Sequence, residues 1–247
     1  MKVAWFSGGA TSAVACKLAL QKYNDVEICY IETGSHHPDM GRFLKDCERW
    51  FNKEVTILKS RYKDHFDVIE RTGVIRMPRY APCTEHLKVR VRQEFEYNHP
   101  EITHYIWGFE KGSKEEARAE RISERYPDYK HLFPLIESNL DKNSCLALLE
   151  QQGIKFPEMY KLGYSNNNCI GCVKGGMFYW NKIRKDFPEV FDRMMKLERK
   201  IGHHCLKECF LDELPEGAGR DKPVMPQCSI FCNFVNFDNE VEDDRQD

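Results

Sequence analysis

Lys2-Val3-Ala4-Trp5-Phe6-Ser7-Gly8-Gly9-Ala10-Thr11-Ser12 opens the chain with a short apolar run that stops at a hydroxyl and two glycines. The run has the length and composition of a buried strand. Behind it, the stretch from Thr11 to about Lys22 carries Val14, Leu18 and Leu20 in a helical pattern. The glycines therefore sit where a strand turns into a helix. There they permit a tight backbone turn, and the first amides of the helix suit an anion such as phosphate or sulfate. Ser7, Thr11 and Ser12 add hydroxyls to that turn. It is neither the GxxxxGK[ST] phosphate loop nor the GxGxxG dinucleotide fingerprint.

Outward from this turn, Val26–Ile31 reads as a strand ending at Glu32-Thr33-Gly34, followed by a helix from about Asp39 to Phe51 and a strand at Glu54–Leu58. Ile102–Trp107 reads as a further strand, ending at Gly108. A charged helix over 114–125, a short strand near Leu132–Ile136 and a helix over Leu140–Gln152 come next. Alternation of this kind predicts an α/β fold with a doubly wound, mostly parallel sheet, covering about residues 1–140. Residues 141–238 are expected to form a helical, cysteine-bearing C-terminal portion. Its clearest element is the amphipathic segment Pro188–Ile201, with Val190, Phe191, Met194, Leu197 and Ile201 as a core stripe. Glu213–Pro226 reads as a loop, and the acidic end, 239–247, as a disordered tail. Open α/β sheets bind ligands at the carboxyl ends of their strands, so the loops after Phe6, Ile31 and Trp107 are expected to converge on one crevice.

Composition narrows the function classes. The 247 residues are 41% hydrophobic and 31% charged, which fits a globular chain rather than a disordered one. A net charge of −2 excludes a globally basic nucleic-acid coat while leaving room for a local basic groove. No run approaches the ~20 apolar residues of a membrane span, and no membrane association is expected. The apolar part of Met1–Gly9 is broken too early for an export signal, so a cytoplasmic location is expected. In such a reducing compartment, 11 cysteines point to metal, cluster or catalytic roles rather than to disulfides. Cys16, Cys29 and Cys47 lie among apolar neighbours and read as core.

Cys169-Ile170-Gly171-Cys172 follows three asparagines, Asn166 to Asn168. Thiolates at this spacing can face one metal or cluster, or can form a redox pair. The distance of the motif from any thioredoxin-like start favours the ligand reading. Cys205 and Cys209 beside His203 and His204 offer zinc donors or simply one helix face, and the structural reading is preferred. Lys88, Arg90 and Arg92 suit either a phosphate groove or, more commonly, a solvated helix face.

Ser7–Ser12 resembles the PP-loop, SGGxDS, of the adenine-nucleotide α-hydrolase-like superfamily, which includes ATP pyrophosphatases and the phosphoadenosine-phosphosulfate (PAPS) and adenosine-phosphosulfate (APS) reductases. Further segments match in the family's order, from about residue 3 to 232. Ile31-Glu32-Thr33-Gly34 resembles the DTG strand end, and Trp107-Gly108 with Glu115-Glu116-Ala117-Arg118 and Arg121 resembles a phosphate- or sulfate-contacting segment. Phe133-Pro134-Leu135 and Tyr160-Lys161-Leu162-Gly163-Tyr164 resemble the stretches that precede the family's GCxxC. Gly219-Arg220 and Gln227-Cys228-Ser229-Ile230-Phe231 are similar to the reductase tail. There are departures. Thr11 replaces the PP-loop aspartate, Pro82 stands where an early Cys-Cys pair would begin, and Ser229 and Phe231 replace a glycine and a histidine.

The resemblance implies an oxidoreductase of sulfur metabolism. Ser7, Gly8, Gly9, Thr11, Ser12, Thr33, Gly34, Arg118 and Arg121 would hold an adenine nucleotide, whether PAPS, APS or ATP. Cys83, Cys169 and Cys172 would bind a [4Fe–4S] cluster, with Cys232, Cys228 or an outside group as fourth ligand; zinc on the same cysteines is the alternative. Cys228 would be the nucleophile, and a thiol donor such as thioredoxin the reductant. Two other readings stand beside this one. The first is an ATP-dependent iron–sulfur sulfurtransferase, the one case in which a nucleic acid would be a partner. The second is a nucleotide-binding iron–sulfur regulator without turnover.

Overall fold

The computed structural model describes residues 1–77, 80–219 and 230. Arg220, Cys228, Cys232 and the acidic tail 239–247 lie outside the described residues. The chain divides into two compact units, each discontinuous in sequence. The first comprises residues 1–32, 37–59 and 93–167; the second comprises 33–36, 60–92 and the described residues from 168 on. This differs from the single boundary expected at residue 140.

Along the chain the strands are β1 (Lys2–Trp5), β2 (Val26–Glu32), β3 (Thr56–Lys59), β4 (His104–Ile106) and β5 (Lys130–Leu132). The helices are α1 (Ala10–Lys22), α2 (Met40–Phe51), α3 (His65–Thr72), α4 (Pro82–Thr84), α5 (Arg90–Asn98) and α6 (Ser113–Arg125). They continue with α7 (Pro134–Glu137), α8 (Lys142–Gln151), α9 (Glu158–Lys161), α10 (Met177–Asp186) and α11 (Pro188–Ile201). A π-helical turn, Glu85–Val89, joins α4 to α5.

The first unit is the expected α/β layer. Its five strands are all parallel, in the order β3-β2-β1-β4-β5. Ala4 lies opposite Ile28 on one side and Ile106 on the other. Strand order reverses about β1, so the carboxyl end of β1 is the switch point at which such sheets bind ligands. Beneath it, Phe6 packs within about 6 Å, ring to ring, of Tyr30, Phe43 and Phe51. Helix α1 presents Ala13, Ala15, Cys16 and Ala19 to this core; such small side chains allow close approach to the sheet. Cys16, Cys29 and Cys47 are buried, as their neighbours implied, and burial pushes all three thiols well above their ordinary range.

Two local expectations are corrected. The strand expected near Leu132–Ile136 ends at Leu132, because Pro134 has no N–H for the ladder and instead opens α7. The helix expected from Leu140 begins at Lys142, where Asp141 accepts the Ser144 amide at 2.8 Å. Its Cys145 and Leu149 are fully buried in the core of the first unit, which is why the unit continues past residue 140.

In the second unit, α11 spans the residues its periodicity predicted, with Phe191, Met194 and Leu197 buried. Trp180 of α10 meets Phe191 edge-on, centroids 6.3 Å apart. Glu198, fully buried, was not anticipated. Its side-chain oxygens accept the amides of Cys205 at 2.6 Å and Leu211 at 2.8 Å, so both buried oxygens have partners. Cys205 is thereby part of the interior, but the HHCxxxC segment is not the helix face expected: α11 stops at Ile201, where Gly202 caps it in a left-handed conformation, and residues 203–210 are irregular. No helix among the described residues is long and apolar enough to cross a membrane.

Candidate functional site

In the first unit, the turn after β1 is organised by Ser12. Its hydroxyl accepts the amides of Ser7 at 3.1 Å and Gly9 at 3.3 Å and donates to the Gly9 carbonyl at 2.9 Å. Ser12 is 3% exposed, so it shapes the turn from within, while Ser7 stands exposed and Thr11 half-buried. Gly8 adopts φ +80°, a conformation glycine reaches without penalty. Gly108 abuts Ser12 so closely that a Cβ there would lie 2.5 Å from the Ser12 Cα. The loops after β1 and β4 therefore meet, as strand order predicted.

Two side chains from far along the chain complete this turn. Asn167 donates to the Gly8 carbonyl at 2.8 Å. The Tyr160 hydroxyl accepts the Ala10 amide, the first of α1, at 3.2 Å. Tyr160 was marked only as part of a resembling stretch, and Asn167 only as one of three loop asparagines. Of the two arginines read as anion contacts, Arg118 lies over the Phe109 ring at 4.6 Å and 3.4 Å from Glu115, and Arg121 is exposed on α6.

Thr33 and Gly34 belong to the second unit. Thr33 lines a cavity together with Cys83, Cys169 and Cys172, which the sequence reading had grouped as ligands. The cavity encloses about 430 Å³ including its open mouth, and Leu87, Lys88 and Val173 also line it. Cys83 stands on the short turn α4, opened by buried Pro82 and continued by the π-helical turn. Such π-turns recur at functional sites. The Thr33 hydroxyl lies 3.3 Å from Cys169 Sγ.

The Cys169–Cys172 loop is held by its own unit. The Tyr179 hydroxyl accepts the Cys172 amide at 3.0 Å and donates to the Cys169 carbonyl at 3.1 Å. The Ile170 amide donates to the Ser35 carbonyl at 2.8 Å. Gly171 has φ +72°, and a Cβ there would sit 2.5 Å from Val190 Cγ1.

Against the same cavity stands His65, the first residue of α3 and 4% exposed. Its Nδ1 lies 2.7 Å from Ser35 Oγ, and its buried Nε2 sits beside Gly171, whose backbone is a hydrogen-bond partner of the ring. Burial lowers its pKa to about 4, keeping the imidazole neutral near pH 7. Nothing in the sequence around His65 marked it.

Three thiols, with a hydroxyl on one of them, share this wall with Thr84, Lys88, Asn168 and Lys174, and thiols of this kind suit a soft, sulfur-seeking centre. Among the described residues no three His, Cys, Asp or Glu side chains converge on the position of a single ion.

The family model of the phosphoadenosine phosphosulfate reductase domain matches residues 2–177. A phosphoadenylyl-sulfate reductase from Candida auris, solved with phosphate, is similar at TM-score 0.52 and 16% identity, over 68% of this chain and 80% of that one. That likeness is one of fold. The U34-tRNA thiolase NcsA from Methanococcus maripaludis, solved with its [4Fe–4S] cluster, reaches TM-score 0.40 at 14% identity, over 83% of this chain and 72% of that one. Two curated relatives are the uncharacterized proteins MJ0973 and MJ0066 of Methanocaldococcus jannaschii. They are 24% and 23% identical over 226 and 198 residues, covering 90% and 79% of this chain. The match covers 52% and 41% of their own length, so the chain spans about half the length of the curated relatives it matches. An all-parallel sheet whose order reverses at β1, a serine–glycine turn at that switch point and a family match across residues 2–177 agree: the chain belongs to the phosphoadenosine phosphosulfate reductase domain family.

Proposed function

We propose that the protein is a sulfonucleotide reductase, taking an adenylyl sulfate on the Ser7–Ser12 turn and carrying an iron–sulfur cluster on Cys83, Cys169 and Cys172. The observation that carries this reading is that Cys83, from α4, lines the same cavity as the CxxC pair some 85 residues later. When bound, the cluster would supply a redox-active, thiolate-ligated iron centre. The turn contributes the α1 amides that follow Ala10, whose own amide Tyr160 takes, and the exposed Ser7 hydroxyl to the anionic end of the nucleotide. Thr11, in place of a carboxylate, adds no negative charge there, which favours a sulfonucleotide over ATP cleavage.

In this proposal the Cys228 thiolate attacks the sulfur of the adenylyl sulfate. An S–S bond forms, the sulfur–oxygen bond to phosphate breaks, and the nucleotide leaves with its phosphate oxygen carrying the electron pair. A dithiol donor of the thioredoxin class then attacks Cys228, is oxidised to its disulfide and releases sulfite. Purified anaerobically, the full chain is expected to contain iron and acid-labile sulfide and to release sulfite from APS or PAPS in the presence of a dithiol. Cys228→Ser should keep the cluster and lose sulfite formation by several orders of magnitude. Loss of the cluster in that variant, or sulfite formation at the wild-type rate, overturns the reductase reading.

A further inference from the structure

We infer that Tyr160 contacts the ligand itself, its phenol O–H donating to an oxygen of the phosphate or sulfate group seated on the Ser7–Ser12 turn. The inference rests on the proposed reading of that turn as an adenine-nucleotide site and deepens it with a donor 150 residues from Ala10 along the chain. It involves no group of the thiol cavity.

A helix leaves its first four amides without partners of its own. At the start of α1, Ser12 Oγ takes the Gly9 amide at 3.3 Å and the Tyr160 hydroxyl takes the Ala10 amide at 3.2 Å. Those of Thr11 and Ser12 meet no acceptor among the described residues. Tyr160 returns a donor for the amide that it occupies. A phenol carries one hydrogen, and because the oxygen accepts from Ala10, that hydrogen is left for another partner. Among the described residues nothing accepts it. Burial pushes the phenol up to about 12, so the proton stays on oxygen near neutral pH. Accepting an amide at the positive end of a helix strengthens the O–H as a donor, since linked hydrogen bonds polarise one another.

The ring is fixed by its surroundings. It packs on the core of the first unit, and Lys142 Nζ lies 5.0 Å from its centroid. The hydroxyl is thereby held beside Gly9: a Cβ there would lie 3.0 Å from it and 3.8 Å from Ser7 Oγ. Gly9 is half-exposed, so the space that a side chain would fill is an open niche walled by two hydroxyls. An oxygen entering the niche meets both O–H groups beside the amides of Thr11 and Ser12. These are all uncharged donors, which suits an ionised oxyanion at a helix start.

The test is calorimetric binding of APS and AMP to the full chain, with near-ultraviolet difference spectra of the same samples. Tyr160→Phe keeps the ring and removes the O–H. It should weaken APS binding about ten- to hundredfold, the size of one hydrogen bond to a charged group. A phenol that gains an acceptor absorbs at longer wavelength, so APS should shift the tyrosine band of the wild type and not that of Tyr160→Phe. Equal losses for AMP and APS support a contact on the phosphate, and a loss confined to APS supports one on the sulfate. Unchanged affinity in a folded Tyr160→Phe overturns the inference, since the hydroxyl then only buttresses Ala10, and the reductase reading stands. Tighter binding also overturns it, because the hydroxyl then merely occupies an amide the ligand uses. Gly9→Ala keeps the hydroxyl and fills the niche, at a φ of −110° that suits alanine. It should weaken APS binding and abolish the spectral shift; wild-type affinity and shift in this variant overturn the inference even if Tyr160→Phe fails to fold. Wild-type protein that binds neither AMP nor APS overturns the reading of the turn, and this contact with it.

Discussion

Asn167 closes the Ser7–Ser12 turn from 159 residues away: its side-chain amide donates to the Gly8 carbonyl at 2.8 Å and lies 3.3 Å from the Met40 sulfur. Buried at 5% exposure, it fixes the direction of that carbonyl, and with it the peptide that leads into the first amides of α1.

Asn167→Leu keeps the side-chain volume and removes the donor. The Gly8 carbonyl then loses its partner, at a cost of about 1–3 kcal/mol. Adenine-nucleotide affinity is expected to fall by about tenfold, equivalent to roughly 1.4 kcal/mol. Calorimetry on the full chain measures this, and unchanged affinity would separate Asn167 from the turn's function.

Gly34 and Gly41 should respond to alanine with opposite signs. Gly34 has φ +67°, and a Cβ there would lie 1.8 Å from the backbone oxygen of Lys63, so Gly34→Ala is expected to cost about 2–4 kcal/mol. Gly41 lies inside α2 with nothing within 4 Å of its Cβ position, and Gly41→Ala should stabilise by about 0.5–1 kcal/mol. Thermal melts of the two variants decide the point, and a shared direction of change would contradict it.

Asp39 and Arg42 predict the shape of an acid limb. The Arg42 guanidinium donates to both Asp39 carboxylate oxygens, at 2.8 and 2.6 Å, and holds that carboxyl below its ordinary value of 3.8. The unfolded chain therefore takes up the proton first. The stabilisation is present above about pH 4 and is lost as pH falls through the lower folded value. Asp39→Asn should flatten stability against pH below 4 and leave the slope near neutrality unchanged. Arg42 also donates to the carbonyls of Lys155 and Phe156, just before α9 delivers Tyr160 to Ala10. Arg42→Met should cost about 1–2 kcal/mol and weaken nucleotide binding in the same assay.

Thr33→Val removes the hydroxyl 3.3 Å from Cys169 Sγ while keeping its shape. Hydrogen bonds to ligating sulfur raise a cluster's potential, so with the proposed cluster bound the variant should keep its iron and titrate at a more negative potential than the wild type. A potential equal to wild type would show that the hydroxyl does not donate to that sulfur.

Much of the fold was legible locally. The short apolar runs that became β1, β2 and β3, and the 3.6-residue stripe of α11, rest on neighbours a few residues apart that any window reveals. The boundary at residue 140 was not legible, because Cys145 and Leu149 join the first core through contacts with residues more than a hundred positions earlier. Helix α3 is short and was missed; its N-cap, Asp64 accepting the Asp67 amide at 2.7 Å, is a single weak signal among many acidic residues.

The site divides in the same way. Glycines before a helix and cysteines two apart carry their chemistry in their spacing, so the Ser7–Ser12 turn and the Cys169–Cys172 pair could be read directly from residue order. Cys83 was tied to that pair by family resemblance, and the cavity supplied the spatial reason. His65, Ser35, Asn167 and Tyr160 had no such mark on their function. Each is an ordinary residue whose role comes from meeting a partner tens to more than a hundred residues away, and no periodicity encodes a partner at that separation. Chain folding alone decides which side chains meet around a cavity of thiols, because burial and hydrogen-bond geometry exist only once distant segments pack together.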